Sequence, residues 1–237
     1  MKRKEPKLIA VVLYPGMTAL DLIGSMEALI WLNVRSPYRL VTVAESVEPI
    51  QTDTALKAVP NTTFADVEQP FGLLVPGGGA AALEAVRNET LRRYVQTTGA
   101  RAELVASIGT GSLILAQAGL LAGRQATTHW AYADQLRELG VRYTRRRWVE
   151  DGKFVTASGV TAGIDLGLYL VAKLTSVDKA RNAQLIIEYD PQPPFGGIDW
   201  ERVDRDAAGA DRIAAQASEP LTQTDRLATT TTTRGGK

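Results

Sequence analysis

Residues 7–14 are apolar at nearly every position, rich in leucine and β-branched side chains, and end at Pro15-Gly16. A continuous apolar run, rather than an alternating one, predicts a strand buried on both faces of a parallel sheet. Similar runs recur at residues 38–43, 72–75 and 103–108. Between them the apolar spacing turns helical. A helix is expected from Thr18, as its cap, to about residue 35, with Leu20, Ile23, Met26, Ala28, Leu29 and Ile30 as its apolar face. Two more are expected over residues 80–97 and 110–118, the latter closed by Gly119. Strand followed by helix, repeated, argues for a mainly parallel sheet covered on both faces.

The second half is less regular. Residues 124–127 read as a strand leading through Thr128-His129-Trp130 into a helix ending near 139. Residues 143–149 and 153–156 flank Glu150-Asp151-Gly152, a hairpin signal. Helices are expected to about residue 174 and over 178–189, and residues 48–60 read as irregular or edge structure. Beyond Pro191 the pattern fades, with one possible amphipathic helix within 203–217. We divide the chain into one domain over residues 1–207 and a Thr-rich tail, 208–237, expected to be mobile.

The join between the strand ending at Ile108 and the helix from Thr110 puts Gly109 on a sharp turn. That is the geometry of a nucleophile elbow, where a residue is held above the carboxyl end of the sheet beside backbone N–H groups. The glycines after Val75-Pro76 also allow a tight turn with bare N–H groups, although glycine is the default in any such turn.

Composition narrows the chemistry. A chain of 237 residues, 45% hydrophobic, can bury one sizeable core. Its 27 basic and 26 acidic side chains nearly cancel, so nucleic acid and anionic membrane are not expected partners, and a small-molecule ligand is. The absence of cysteine excludes disulfides and thiolate chemistry and fits a reducing cytoplasm. With a single histidine besides, no metal site and no cofactor are expected. The basic Lys2-Arg3-Lys4 before the first apolar run looks like a targeting signal, but the run lacks a small-residue cleavage site and reads as a strand. The 20 uncharged residues 104–123 contain four glycines and read as strand and helix, not as a membrane span.

Several stretches in order resemble the ThiJ/PfpI superfamily of glutamine-amidotransferase-like proteins, and within it the isonitrile hydratases. They are Leu13-Tyr14-Pro15-Gly16 with Leu20-Asp21-Leu22-Ile23-Gly24, Val75-Pro76-Gly77-Gly78, and Ser107 through Gly111. Gly123 through Trp130, Gly159 through Asp165, Glu188-Tyr189 and Pro193-Pro194-Phe195 complete the series. The resemblance implies a flavodoxin-like three-layer α/β sandwich, usually a homodimer, that converts R–NC and water to an N-substituted formamide. It implies an elbow cysteine as nucleophile, which falls on Gly109, and a proton-handling carboxylic acid, which falls on Asp21. It assigns donor roles to the N–H groups of Gly78 and Thr110, and adds His129 and Gly159 to the pocket.

Glycine has no side chain with which to attack carbon, and a hydroxyl from Thr110 or Ser112 would need an adjacent base. Glycine at a strained turn also relieves about 1–3 kcal/mol. Two readings follow: a hydratase-like enzyme, inactive or slow through Asp21-assisted water addition, or a non-catalytic small-molecule-binding or sensor protein. Asp21 itself is either the proton donor or a first-turn carboxylate favoured by the helix dipole. His129 is favoured as a pocket or dimer contact over an acid or base, and Arg145-Arg146-Arg147 as a solvated hairpin face. The segment after Phe195 is too short and too poorly patterned for a helix-turn-helix module.

Overall fold

The computed structural model describes residues 5–205. In chain order the elements are β1 (Lys7–Val12), α1 (Ala19–Leu29), β2 (Tyr38–Ala44), β3 (Ile50–Gln51), β4 (Lys57–Ala58), β5 (Thr62–Thr63), β6 (Gly72–Val75), α2 (Ala80–Ala85), α3 (Glu89–Arg101), β7 (Leu104–Ile108) and α4 (Gly111–Gln117). They continue with β8 (Gln125–Ala126), α5 (Ala133–Glu138), β9 (Arg142–Tyr143), β10 (Trp148–Asp151), β11 (Phe154–Ala157), α6 (Ala162–Leu174), α7 (Val177–Ile186) and α8 (Trp200–Arg205).

Seven strands form one sheet in the order β10-β11-β7-β6-β1-β2-β5. Neighbours are parallel except β10 and β11, the predicted hairpin. From β1 the chain moves outward through β2 in one direction and through β6, β7 and β11 in the other. This is the flavodoxin-like arrangement, and the reversal between β1 and β6 opens a crevice at the carboxyl ends of those strands. The apolar runs behave as expected: every residue of β6, β7 and β11 is buried.

Four expectations need correcting. The helix expected over 80–97 is two helices, because Asn88 starts α3 afresh, its side chain accepting the Leu91 N–H at 3.0 Å. The strand expected at 124–127 forms as β8 but pairs with β9 in a two-stranded ribbon apart from the main sheet, and β3 and β4 make another within the segment read as irregular or edge structure. Thr18 is the N-cap residue of α1 but makes no capping hydrogen bond; Asp53 Oδ1 accepts the Ala19 N–H at 2.9 Å instead. The fourth concerns the face of α1. Leu20, Ile23 and Ile30 are exposed, and the helix buries Asp21, Leu22, Gly24, Ser25, Ala28 and Leu29. Small residues let it lie close to α6, where a Cβ on Gly167 would stand 2.6 Å from that of Ala28. The expected 203–217 helix begins as α8, and its remainder, with the tail, lies outside the described residues.

Candidate active site

The elbow is held from both sides. Gly109, at φ +50°, leaves β7 and donates its N–H to Ala157 O and Ser158 O, both at 3.1 Å. Its own carbonyl accepts Ser112 Oγ and Thr128 Oγ1, each at 3.0 Å. The left-handed φ favours glycine at 109, while Gly111 answers a different need. A Cβ there would stand 2.1 Å from Val75 O, so the start of α4 can approach the end of β6 only without a side chain.

Asp21 faces this turn from the buried side of α1. It is 2% exposed, its Oδ2 accepts the Gly77 N–H at 2.8 Å, and its Oδ1 has no hydrogen-bond partner among the described residues. Burial pushes its pKa from 3.8 up to about 7, against the Gly77 N–H, which lowers it, and with help from the nearby charge of Asp53. A Cβ built on Gly109 would lie 3.2 Å from Asp21 Oδ2, with no other described atom within 4 Å apart from its chain neighbours. Open space therefore adjoins a buried carboxyl group that is substantially protonated at neutral pH.

The structure revises the roles of the remaining predicted residues. The Gly78 N–H, expected to face a ligand, donates to Thr110 Oγ1 at 2.9 Å, and the Gly79 N–H joins it at 3.0 Å. Two incoming N–H groups use both lone pairs of that hydroxyl and leave its proton for another acceptor. His129 accepts the Ala131 N–H on Nδ1 at 3.3 Å, which assigns the ring proton to Nε2. Burial lowers its pKa, so the imidazole is neutral at physiological pH. His129 and Gly159 do meet, since a Cβ on Gly159 would stand 2.4 Å from the ring. The hydrogen bond tying this segment to the elbow comes from Thr128, not from His129. The arginine triplet is exposed, as expected of a solvated hairpin face, and Arg147 is also paired: its Nε binds Asp165 Oδ2 at 2.6 Å and a terminal nitrogen binds Thr161 Oγ1 at 3.0 Å.

Two contributors escape the sequence reading. Tyr14 donates its hydroxyl to Pro76 O at 2.9 Å, fixing the turn that carries Gly77. Asp53 holds the start of α1. The quoted Leu13 through Gly16 stretch already contained Tyr14, whereas nothing local in sequence ties Asp53 to a helix more than thirty residues earlier.

A model of the DJ-1/PfpI family matches residues 7–173. The chain belongs to the DJ-1/PfpI family. It is 39% identical over 187 residues to the isonitrile hydratase of Pseudomonas putida, covering 79% of this chain and 80% of that protein. The HTH-type transcriptional regulator CdhR of Pseudomonas aeruginosa is 28% identical, over 79% of this chain but only 54% of its own length. A crystal structure of a ThiJ/PfpI family protein from Pseudomonas syringae superposes with a TM-score of 0.78 at 36% identity, covering 88% of this chain and 90% of that one. As in that DJ-1/PfpI relative, a mostly parallel sheet lies between helices. Among the described residues no helix is long and apolar enough to cross a membrane.

Proposed function

We propose that this DJ-1/PfpI protein acts on isonitriles, adding water to R–NC to give R–NH–CHO without a covalent enzyme intermediate. The observation that carries the reading is the buried Asp21 carboxyl beside the open space at Gly109. Similarity to the isonitrile hydratase of Pseudomonas putida supplies the substrate class.

The chemistry uses this chain's own groups. An isonitrile carbon carries a lone pair, and the oxygen of Asp21 that faces the space at Gly109, Oδ2, can carry the acid proton for it while still accepting the Gly77 N–H. Transfer of the Asp21 proton to that carbon gives a nitrilium, and a water molecule in the space above Gly109 forms the new C–O bond. The water returns a proton to Asp21, and the resulting R–N=CH–OH tautomerises to the formamide. The Thr110 hydroxyl, polarised by two N–H donors, keeps its own proton free to donate and would give it to the incoming oxygen. The general acid contributes typically 10²–10⁴-fold, and the lack of a covalent route keeps turnover slow. The absence of a side chain at Gly109 favours a second reading, a protein that binds the same ligand without converting it.

Incubation with an aryl isonitrile, with formamide followed by chromatography, separates the two. Formamide above buffer that disappears in Asp21→Asn supports the hydratase; saturable binding with no product supports the binder. Neither binding nor product overturns the substrate class.

A further inference from the structure

A second cavity, of about 530 Å³, opens on the other side of Tyr14, between the carboxyl ends of β1 and β2 and the α2–α3 segment. Its volume lies within the range of about 300–1,000 Å³ common for small-molecule sites. Leu13, Ile50, Phe64 and Leu91 give it an apolar body. The charges in its lining have one sign: Glu45 and Glu84 are present, with no lysine or arginine. Glu84 is paired with Arg87, which lies outside the lining, at 2.8 Å. Glu45 has as its hydrogen-bond partner the neutral amide of Asn88, at 2.9 Å, and Asn88 is itself fixed by capping α3. Among the described residues Glu45 therefore presents a carboxylate without a cation to an apolar chamber.

We propose that this cavity is a separate binding site for a small amphiphilic ammonium compound, whose hydrocarbon part fills the chamber and whose cationic head stands at Glu45. An anionic ligand of the same shape meets like charge at the mouth, and a neutral one gains only the apolar burial. Tyr14 lies between this site and the elbow, since it lines the cavity and its hydroxyl is bound to Pro76 O.

The test titrates hexylammonium, hexanol and hexanoate into the full-length protein and follows backbone amide shifts by NMR. Hexylammonium is expected to move Ala44, Ser46 and Ala85 but not Gly77 or Gly109, and to bind more tightly than hexanol, with hexanoate weakest. Glu45→Gln should weaken hexylammonium about threefold, as loss of an exposed ion pair does, and leave hexanol unchanged. Glu45→Lys should reverse the order of hexylammonium and hexanoate. Ala85→Phe, which puts an aromatic ring into the chamber, should remove all three; Ser46→Trp on the exposed rim serves if that variant does not fold. Hexanoate binding as tightly as hexylammonium to the unmodified protein, or no shift at these three amides with any probe, overturns the proposal.

Discussion

Asp21 keeps its proton at a pH where most aspartates have lost theirs, and folding is linked to that proton. A rise from 3.8 to about 7 corresponds to about 4 kcal/mol. Between those values the folded state binds the proton more tightly than the unfolded chain, so stability falls as pH rises through the window and is flat above it. Asp21→Asn removes the titration while its amide oxygen can still accept the Gly77 N–H. Its stability relative to the unmodified protein should therefore increase from pH 4 to pH 7, reaching at most about 4 kcal/mol in urea unfolding. Parallel curves would mean that Asp21 is ionised in the folded protein. In the proposed reaction the same proton is the reagent, so formamide production should hold below about pH 7 and fall about tenfold per pH unit above it. Gly109 sets the other residue-scale expectation. Gly109→Cys places a thiol beside Asp21 and should raise the hydration rate by orders of magnitude. Both it and Gly109→Ala should lose about 1–2 kcal/mol of stability, since φ is +50° and the new Cβ would lie 3.2 Å from Asp21 Oδ2. Destabilisation without a gain in rate would remove isonitriles as the substrate class.

At the scale of elements, α1 is the part that delivers Asp21, and its start is held by a residue from another segment. Asp53 accepts the Ala19 N–H and adds a negative charge that raises the Asp21 pKa. Asp53→Asn can keep the cap but removes the charge, and should lower the Asp21 pKa measured by carboxyl-carbon NMR. Asp53→Ala loses the cap as well and should destabilise the protein by about 1 kcal/mol. An unchanged Asp21 pKa in both variants would leave burial alone as its cause. The helices also show why some structure was legible in the sequence and some was not. The apolar runs of β1, β6 and β7 and the Gly109 turn were readable because a strand buried on both faces leaves no polar alternation. The buried side of α1 was misread because it contains Asp21 and Ser25, whose hydroxyl turns back to Asp21 O at 2.7 Å. Hydrophobicity points toward Leu20 and Ile23 there, whereas the side that packs is the one with small and polar residues. The break at Asn88 had a local signal, a capping residue followed by Glu89, but Ala80 through Thr98 is otherwise a continuous helical pattern. The partners of Thr110 and Arg147 join distant segments and leave no periodic trace.

At the scale of the whole molecule, α1 separates two kinds of surface. Its inner side packs on α6 and positions Asp21; its outer side exposes Leu20 and Ile23 at 45% and 44%, and Ile30 and Val34 follow beyond its end at 46% and 47%. Leu20, Ile23 and exposed Glu27 share one face of α1, and Ile30 and Val34 lie at the two ends of the 3-10 turn, residues 30–33, that follows it. These large apolar side chains left in water on and just after the helix that carries Asp21 lead us to propose that the homodimer implied by the family resemblance forms through α1. A symmetric contact places each residue against its own partner patch, so one substitution acts twice. Ile23→Glu would bring like charges together across the axis and should convert a dimer to a monomer in size-exclusion chromatography with light scattering. The inner face of α1 is untouched by that change, so the monomer should keep the Asp21 titration if the fold positions the acid unaided. Loss of the titration together with the dimer would make the partner copy part of what buries the carboxyl. A monomeric unmodified protein at micromolar concentration would refute pairing outright.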